Sequence, residues 1–371
     1  MISTDPYIDN LIDDGAPIII CVSGGKDSRL AAEETVAYVR ARSHRGSITL
    51  VYADLGRVVW SDAQEQCRRL AMRLGAELVI VGRKAGGLMD RWAQRWENNI
   101  ARYRDLSCVK LILPWSTPSM RFCTSELKTK IIQRWIRVTY QQPVICALGI
   151  RRDEGRSSKS GRGAAPISRV HEVTIKNGKP AQPHLPAGSV DWNPIVDVKT
   201  ERVFQILRAS SEPQPSAYTY GASRYSCAFC IMSTAADLFA GTRDPRNLNL
   251  YREQCELEIT STFSFQSGQW LSDIASDLLT DNQRARLPFA RRKAEQRAAI
   301  ESEIPSHLLY TKGWPTVMPS ASEAELIAGV RREVSRIMEF DVRYTTAFQV
   351  WGRYDELMKL NATKRKARKA A

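Results

Sequence analysis

From Pro17 to Val22 the chain carries a short, branched, almost wholly apolar run, which breaks into Ser23-Gly24-Gly25-Lys26-Asp27-Ser28 before a helical pattern begins. Such a run predicts a central parallel strand covered on both faces. Ser28 then opens a helix, Arg29 to Arg42, whose Leu30, Ala31, Val36, Ala37 and Val39 supply an inward stripe. Ser47 to Ala53 alternates, which predicts a second parallel strand ending at Asp54-Leu55-Gly56. Ser61 to Leu74 reads as a helix with Ser61 as N-cap and Gly75 as its stop. Leu78 to Val81 is a third strand, and Gly86-Gly87 begins a Trp- and Arg-rich helical stretch through Tyr103. After a loop from Pro114 to Cys123, Ser125 to Tyr140 is helical, with Leu127, Ile131, Ile132, Trp135 and Val138 facing inward. Val144 to Leu148 makes another buried strand, ending at Gly149-Ile150-Arg151-Arg152-Asp153-Glu154-Gly155-Arg156.

Strands alternating with helices in this way predict an α/β fold, a doubly wound and mostly parallel sheet of Rossmann type. Ser157 to Ala165 is a Ser/Gly/Lys/Arg-rich linker, and Val170 to Pro180 has the form of a β-hairpin around Asn177-Gly178. Trp192 to Val196 leads to a helix, Thr200 to Arg208, and then to the run Tyr218 to Cys230. Beyond Ala235 the period is mainly helical, over Asn247 to Glu258, Trp270 to Leu279, Arg286 to Ile304 and Ser322 to Met338. The expected division is an N-terminal segment 1–16, an α/β domain 17–235, a helical C-terminal region 236–363 and a basic tail 364–371.

Composition narrows the class. At 371 residues and 43% hydrophobic, the chain can bury one large core and a smaller satellite. No apolar run is long enough to span a bilayer, and Met1 to Asp14 is acidic with no signal-peptide pattern, so a cytoplasmic protein without a membrane partner is expected. Eight scattered cysteines suit metal or catalytic use better than a disulfide scaffold. The net charge of +14 points to a polyanionic partner. Arg284, Arg286, Arg291, Arg292, Lys293 and Arg297 form one basic cluster, and Lys364-Arg365-Lys366-Ala367-Arg368-Lys369 another; each reads as a polyanion contact or as a solvated face and a frayed tail.

The loop after the first strand carries the chemistry. A helix start presents unpaired N–H groups and the positive end of the dipole, so an anion is stabilised there before any side chain contributes. Lys26 adds a mobile charge, expected to be solvated when no ligand is bound, and Ser23 and Ser28 add hydroxyl donors. The spacing is not that of a Walker A loop. Ser23-Gly24-Gly25-Lys26-Asp27-Ser28 instead resembles the PP-loop of the ATP pyrophosphatases, the adenine nucleotide alpha hydrolase superfamily with its HUP-like fold, which cleave ATP between the α and β phosphates.

Further matches follow in order: Asp54-Leu55-Gly56, Arg121-Phe122-Cys123-Thr124 with Lys128, Gly149-x-Arg151-x-x-Glu154-x-Arg156, and a Tyr, Gly, Arg and Cys-x2-Cys cluster ending at Cys230. Together they resemble the phosphoadenosine phosphosulfate (PAPS) reductase family over about residues 15–235. The resemblance implies that Asp54 and Gly56 lie by a nucleotide, that Gly149, Arg151 and Arg156 serve its phosphate groups, and that Lys26, Asp27 and Ser28 act in catalysis with ATP and Mg²⁺, Asp27 helping to place the metal. It also implies a [4Fe-4S] cluster on Cys123, Cys227 and Cys230, for which Cys255 is the best fourth ligand and Cys108 the next. Zinc on the same set, a Cys227/Cys230 redox pair and no metal at all remain alternatives.

Two departures redirect the function. The family's adjacent Cys-Cys is here Phe122-Cys123, and the reductases' C-terminal Glu-Cys-Gly-Leu-His segment is lacking. Sulfonucleotide reduction is therefore disfavoured, and the expectation is an adenylating enzyme for sulfur transfer to nucleic acid, DNA or tRNA, fed by a sulfur-donor protein. A sulfonucleotide reductase-like enzyme and a non-catalytic nucleotide- or nucleic-acid-binding module are the alternatives.

Overall fold

The computed structural model describes residues 2–154, 165–176, 179–181 and 183–370, without the side chains of 176, 179 and 364 onward. They form two compact units, Met1–Asp90 with Ser116–Tyr251, and Arg91–Trp115 with Arg252–Ala371.

The first unit is built on β1 (Ile18–Val22), β2 (Ile48–Asp54), β3 (Glu77–Gly82), β4 (Ile145–Ala147), β5 (Ser168–Val170) and, beyond the separate ribbon β6 (Thr174–Lys176) and β7 (Lys179–Ala181), β8 (Val190–Trp192). Among the described residues these make a six-stranded sheet in the order β3-β2-β1-β4-β8-β5, parallel throughout except for β5, which runs antiparallel at the edge. Ile18, Ile19 and Ile20 are fully buried, as a strand covered on both faces requires. One face of the sheet packs against the helices Pro6–Asp13, Lys26–Ala41 and Ala63–Leu74. On β2 and β3 a π-helical turn, Ser125–Thr129, and the helix Lys130–Thr139 provide further cover.

The strand order reverses beside β1. The chain moves outward from β1 to β2 and β3, then returns to place β4 on β1's other side. The loops after β1 and β4 therefore open at the topological switch point, where open α/β sheets hold their ligands. Those loops touch: a Cβ on Gly149 would lie 2.9 Å from the Asp27 carbonyl and the Ser28 nitrogen.

Several local expectations shift. The first long helix begins at Lys26, so the loop ends at Gly25. The cap of the next helix is Asp62 rather than Ser61, whereas Gly75 stops it in the left-handed region as expected. In the 125–140 stretch only Leu127 and Ile136 are fully inward, and Val138 is 76% exposed, because the π-helical turn rotates the following helix relative to a continuous 3.6-residue period. Val170 pairs with β8 instead of entering the hairpin; the hairpin's ribbon is present, and its turn at Asn177-Gly178 lies outside the described residues.

The second unit is helical and departs from the expected division at residue 236, because it takes in residues 91–115 from within the α/β domain. Buried Arg331, on the helix Ala321–Met338, donates to the carbonyls of Tyr103 (2.7 Å), Arg104 (3.1 Å), Tyr344 (3.2 Å) and Arg343. The Leu111 N–H donates to Glu301 at 2.8 Å, and Trp92, Trp115 and Phe265 pack edge to face. The helix expected over Trp270 to Leu279 is replaced by two short 3-10 turns, Leu271–Asp273 and Ser276–Leu278. Buried Glu258 explains the first of them, since its carboxylate gathers the N–H groups of Phe265, Leu271 and Ser272 and the Ser272 hydroxyl. The basic cluster on the helix Asp281–Ser302 is largely ion-paired, Arg284 with Asp281, Arg286 with Glu256, Arg291 with Asp273, Lys293 with Glu339 and Arg297 with Glu301, so it is a weaker polyanion surface than its sequence implies. Among the described residues no helix is long and apolar enough to cross a membrane.

Burial raises the Glu258 carboxyl to about 7, against the opposing pull of its N–H donors. A carboxyl raised on folding stabilises most below its ordinary range, and that contribution is lost as pH rises through the folded value. The stability difference between wild type and Glu258→Gln should change by on the order of 3 kcal/mol between pH 4 and pH 8. Urea unfolding across that range measures it, and a parallel pH dependence in both proteins would refute the assignment.

Candidate functional site

The loop Ser23–Gly25 joins β1 to the helix Lys26–Ala41. Gly24 has φ +82°, and a side chain there would meet the Ala63 carbonyl oxygen at 2.9 Å. Gly25 is the N-cap and provides no capping side chain, so the helix start keeps amide groups for an anion. Ser28 Oγ accepts from the Ser23 N–H (3.1 Å) and donates to the Gly25 carbonyl (3.0 Å), while Ser23 Oγ lies 3.1 Å from it. In this state both hydroxyls brace the loop.

Lys26 is not solvated, contrary to expectation. It is 4% exposed, with its Nζ 2.9 Å from one Asp27 oxygen and over the ring of Phe204 at 5.0 Å from the centroid. The other Asp27 oxygen accepts from Arg151 Nε at 2.8 Å. Arg151 is 1% exposed; Nη1 donates to the Val198 carbonyl (3.2 Å) and Thr200 Oγ1 (3.0 Å), and Nη2 to Glu154 (3.4 Å). The arginine expected at a phosphate thus sits behind the loop and orients Asp27. Both carboxylate oxygens of Asp27 are engaged by cations, so Asp27 does not offer a ready Mg²⁺ ligand in this arrangement.

Gly149 abuts the loop directly. Asp54 ends the neighbouring strand, where it accepts the Gly56 N–H at 2.8 Å and closes a turn with Gly56 at φ +74°. Arg156 lies outside the described residues.

Three groups at the loop had no role assigned from sequence. The Tyr218 hydroxyl accepts the Lys26 N–H at 3.1 Å, and the Tyr225 side chain lies against Gly25. Asp62 accepts from the Tyr225 hydroxyl (2.8 Å), the Ser216 hydroxyl (2.6 Å) and the Ser216 N–H (2.8 Å). Burial works against ionisation of Asp62, but these donors outweigh it and hold the carboxyl below its ordinary range. The density of tyrosines from 218 to 225 was a visible signal; Asp62, at the mouth of an ordinary helix, gave none.

The Cys-x2-Cys segment is tied to the loop after β2: Ala228 N–H donates to the Val58 carbonyl at 2.9 Å, and Cys227 bridges Val59. Burial pushes the Cys227 thiol up to about 12 and the Cys230 thiol upward, with Cys123 adding to both and Lys128 opposing. Cys227 and Cys230, with Cys123 as their electrostatic neighbour, therefore keep their thiol protons at neutral pH. Cys255 is fully buried on the helix Leu248–Ser261, in the part assigned to the second unit. No group of three or more His, Cys, Asp or Glu among the described residues is placed to hold a metal ion.

The fold and site define an α/β protein with a glycine-rich strand-to-helix loop at its switch point. Neither the family models nor the curated proteins compared with the chain give a match.

The contact at Gly149 is testable by itself. Gly149→Ala must push the Asp27 backbone aside and should cost about 1–3 kcal/mol in urea unfolding. An unchanged midpoint would show that the two loops have room to separate.

Proposed function

We propose that the chain binds ATP at Ser23–Ser28 and adenylates a substrate oxygen: that oxygen attacks the α-phosphorus, the bond to the bridging oxygen breaks, and pyrophosphate leaves. A sulfur nucleophile from a donor protein then displaces AMP, with nucleic acid as the acceptor. The observation carrying this reading is the Ser-Gly-Gly-Lys-Asp-Ser run at a helix start whose N-cap glycine has no side chain, on the sheet's switch point. The helix N–H groups would take phosphate oxygens, and Lys26 would exchange Asp27 for the leaving pyrophosphate. Arg151 keeps Asp27 in place during that exchange. Bound Mg²⁺ would add charge neutralisation on the phosphates. Asp54 and Gly56, on the adjoining strand end, suit the nucleoside side. The net charge of +14 favours a DNA or tRNA acceptor, although much of the cluster on Asp281–Ser302 is already paired. Cys123, Cys227 and Cys230 are the residues suited to a soft metal, an iron–sulfur centre or sulfur relay.

Pyrophosphate release from ATP, measured without nucleic acid and with DNA or tRNA, tests the reading. Wild type should release pyrophosphate, and Lys26→Met, which keeps the aliphatic packing, should lose at least about a hundredfold in rate. ATP binding without release under every condition would leave a nucleotide-binding module instead.

Iron, sulfide and zinc content of anaerobically purified protein addresses the cysteines. A bound centre should be lost in Cys227→Ala; metal-free wild type prepared with full iron and zinc supply would restrict the three thiols to redox or sulfur-relay chemistry.

A further inference from the structure

The segment Ser216–Tyr225 touches the loop at Gly24, Gly25 and Lys26. Tyr218 is half-buried, and its hydroxyl oxygen takes the Lys26 N–H, one of the first amides of the helix. Its ring and that of Phe204, packed edge to face at 5.7 Å, flank the Lys26 ammonium at 5.8 and 5.0 Å. Tyr225 closes over Gly25 so tightly that a Cβ there would be 2.6 Å from its own. Both ends of the segment are anchored on Asp62, through Ser216 and through the Tyr225 hydroxyl, and Tyr220 between them stacks on Trp60 with ring centroids 6.3 Å apart and planes within 14°.

We propose that this tyrosine strap is a built-in competitor for the phosphate site, in which the Tyr218 hydroxyl stands where a phosphate oxygen binds and leaves when pyrophosphate or ATP enters. The proposal rests on the reading of Ser23–Ser28 as a phosphate loop. Physically, the closed strap satisfies the Lys26 amide, holds the ammonium between two rings and keeps water from the glycines. A ligand must displace these contacts, so its apparent affinity is reduced by the fraction of molecules with the strap open. Asp62 sets that fraction, because it holds both ends through short bonds from hydroxyl and amide donors.

The test uses the full chain and inorganic pyrophosphate as probe, by titration calorimetry. Tyr218→Phe keeps the ring and removes the competing oxygen, so it should bind pyrophosphate about threefold to tenfold more tightly than wild type. Tyr225→Phe frees one anchor without touching the Lys26 amide and should also bind more tightly. In wild type, pyrophosphate should change the tryptophan fluorescence, and Trp60→Phe should remove that change. Equal or weaker binding by both tyrosine variants, each shown by thermal melting to be folded, overturns the strap while leaving the phosphate site intact. Absence of pyrophosphate and ATP binding in wild type and both variants overturns the site and the strap together.

Discussion

The Asp27 carboxylate sits between two cations that are almost completely out of water, Lys26 and Arg151, and the switch-point geometry depends on that arrangement. Each cation alone would carry a desolvation penalty of several kcal/mol; sharing one carboxylate, with Glu154, Thr200 and the Val198 carbonyl taking the remaining guanidinium donors, offsets much of it. The same contacts join three distant parts of the chain, the loop after β1, the loop after β4 and the start of the helix Thr200–Ala209. Gly149 is required because any side chain would wedge the first two apart. A charge network that fixes the loop this firmly also holds the lysine in a paired, nearly water-free state.

The chain's large positive charge looks different once its partners are visible. The cations on Asp281–Ser302 that suggested a broad basic face meet carboxylates from at least three other segments, through Glu256, Asp273 and Glu339. Exposed pairs of this kind add little stability, but they cancel the local field that a polyanion would sense. Counting lysines and arginines along a helix overestimates the field because the compensating carboxylates are scattered in sequence and gathered only by folding.

That distinction describes how much of the molecule was legible beforehand. The strand at Ile18, the glycine loop and the stop at Gly75 depend on neighbours within a few residues, and the sequence displays them directly. The π-helical turn at Ser125 changes phase in a way no 3.6-residue count detects, so Val138, inward by that count, lies in solvent. Lys26 was expected in water because its covering rings, Phe204 and Tyr218, lie far along the chain; the Tyr218 contact spans 192 positions. Asp62 meets Ser216 across 154 positions, and Arg331 meets Tyr103 across 228. In the candidate site, the loop residues Ser23 to Ser28 are readable from their local pattern, whereas Tyr218, Tyr225 and Asp62, which cover and orient them, are not.

The discontinuous second unit has a consequence for synthesis. Residues 91–115 leave the ribosome before the helices that receive them, and the intervening 116–251 belong to the other unit. At typical elongation rates that interval lasts roughly ten seconds or more, far longer than local collapse requires. Trp92, Trp96 and Trp115, all buried in the finished unit, spend it without Phe263 and Phe265, the rings they later meet. The nascent chain therefore carries a tryptophan-rich adhesive segment through about a third of its production, and this is the stage at which a chaperone would have the most to hold.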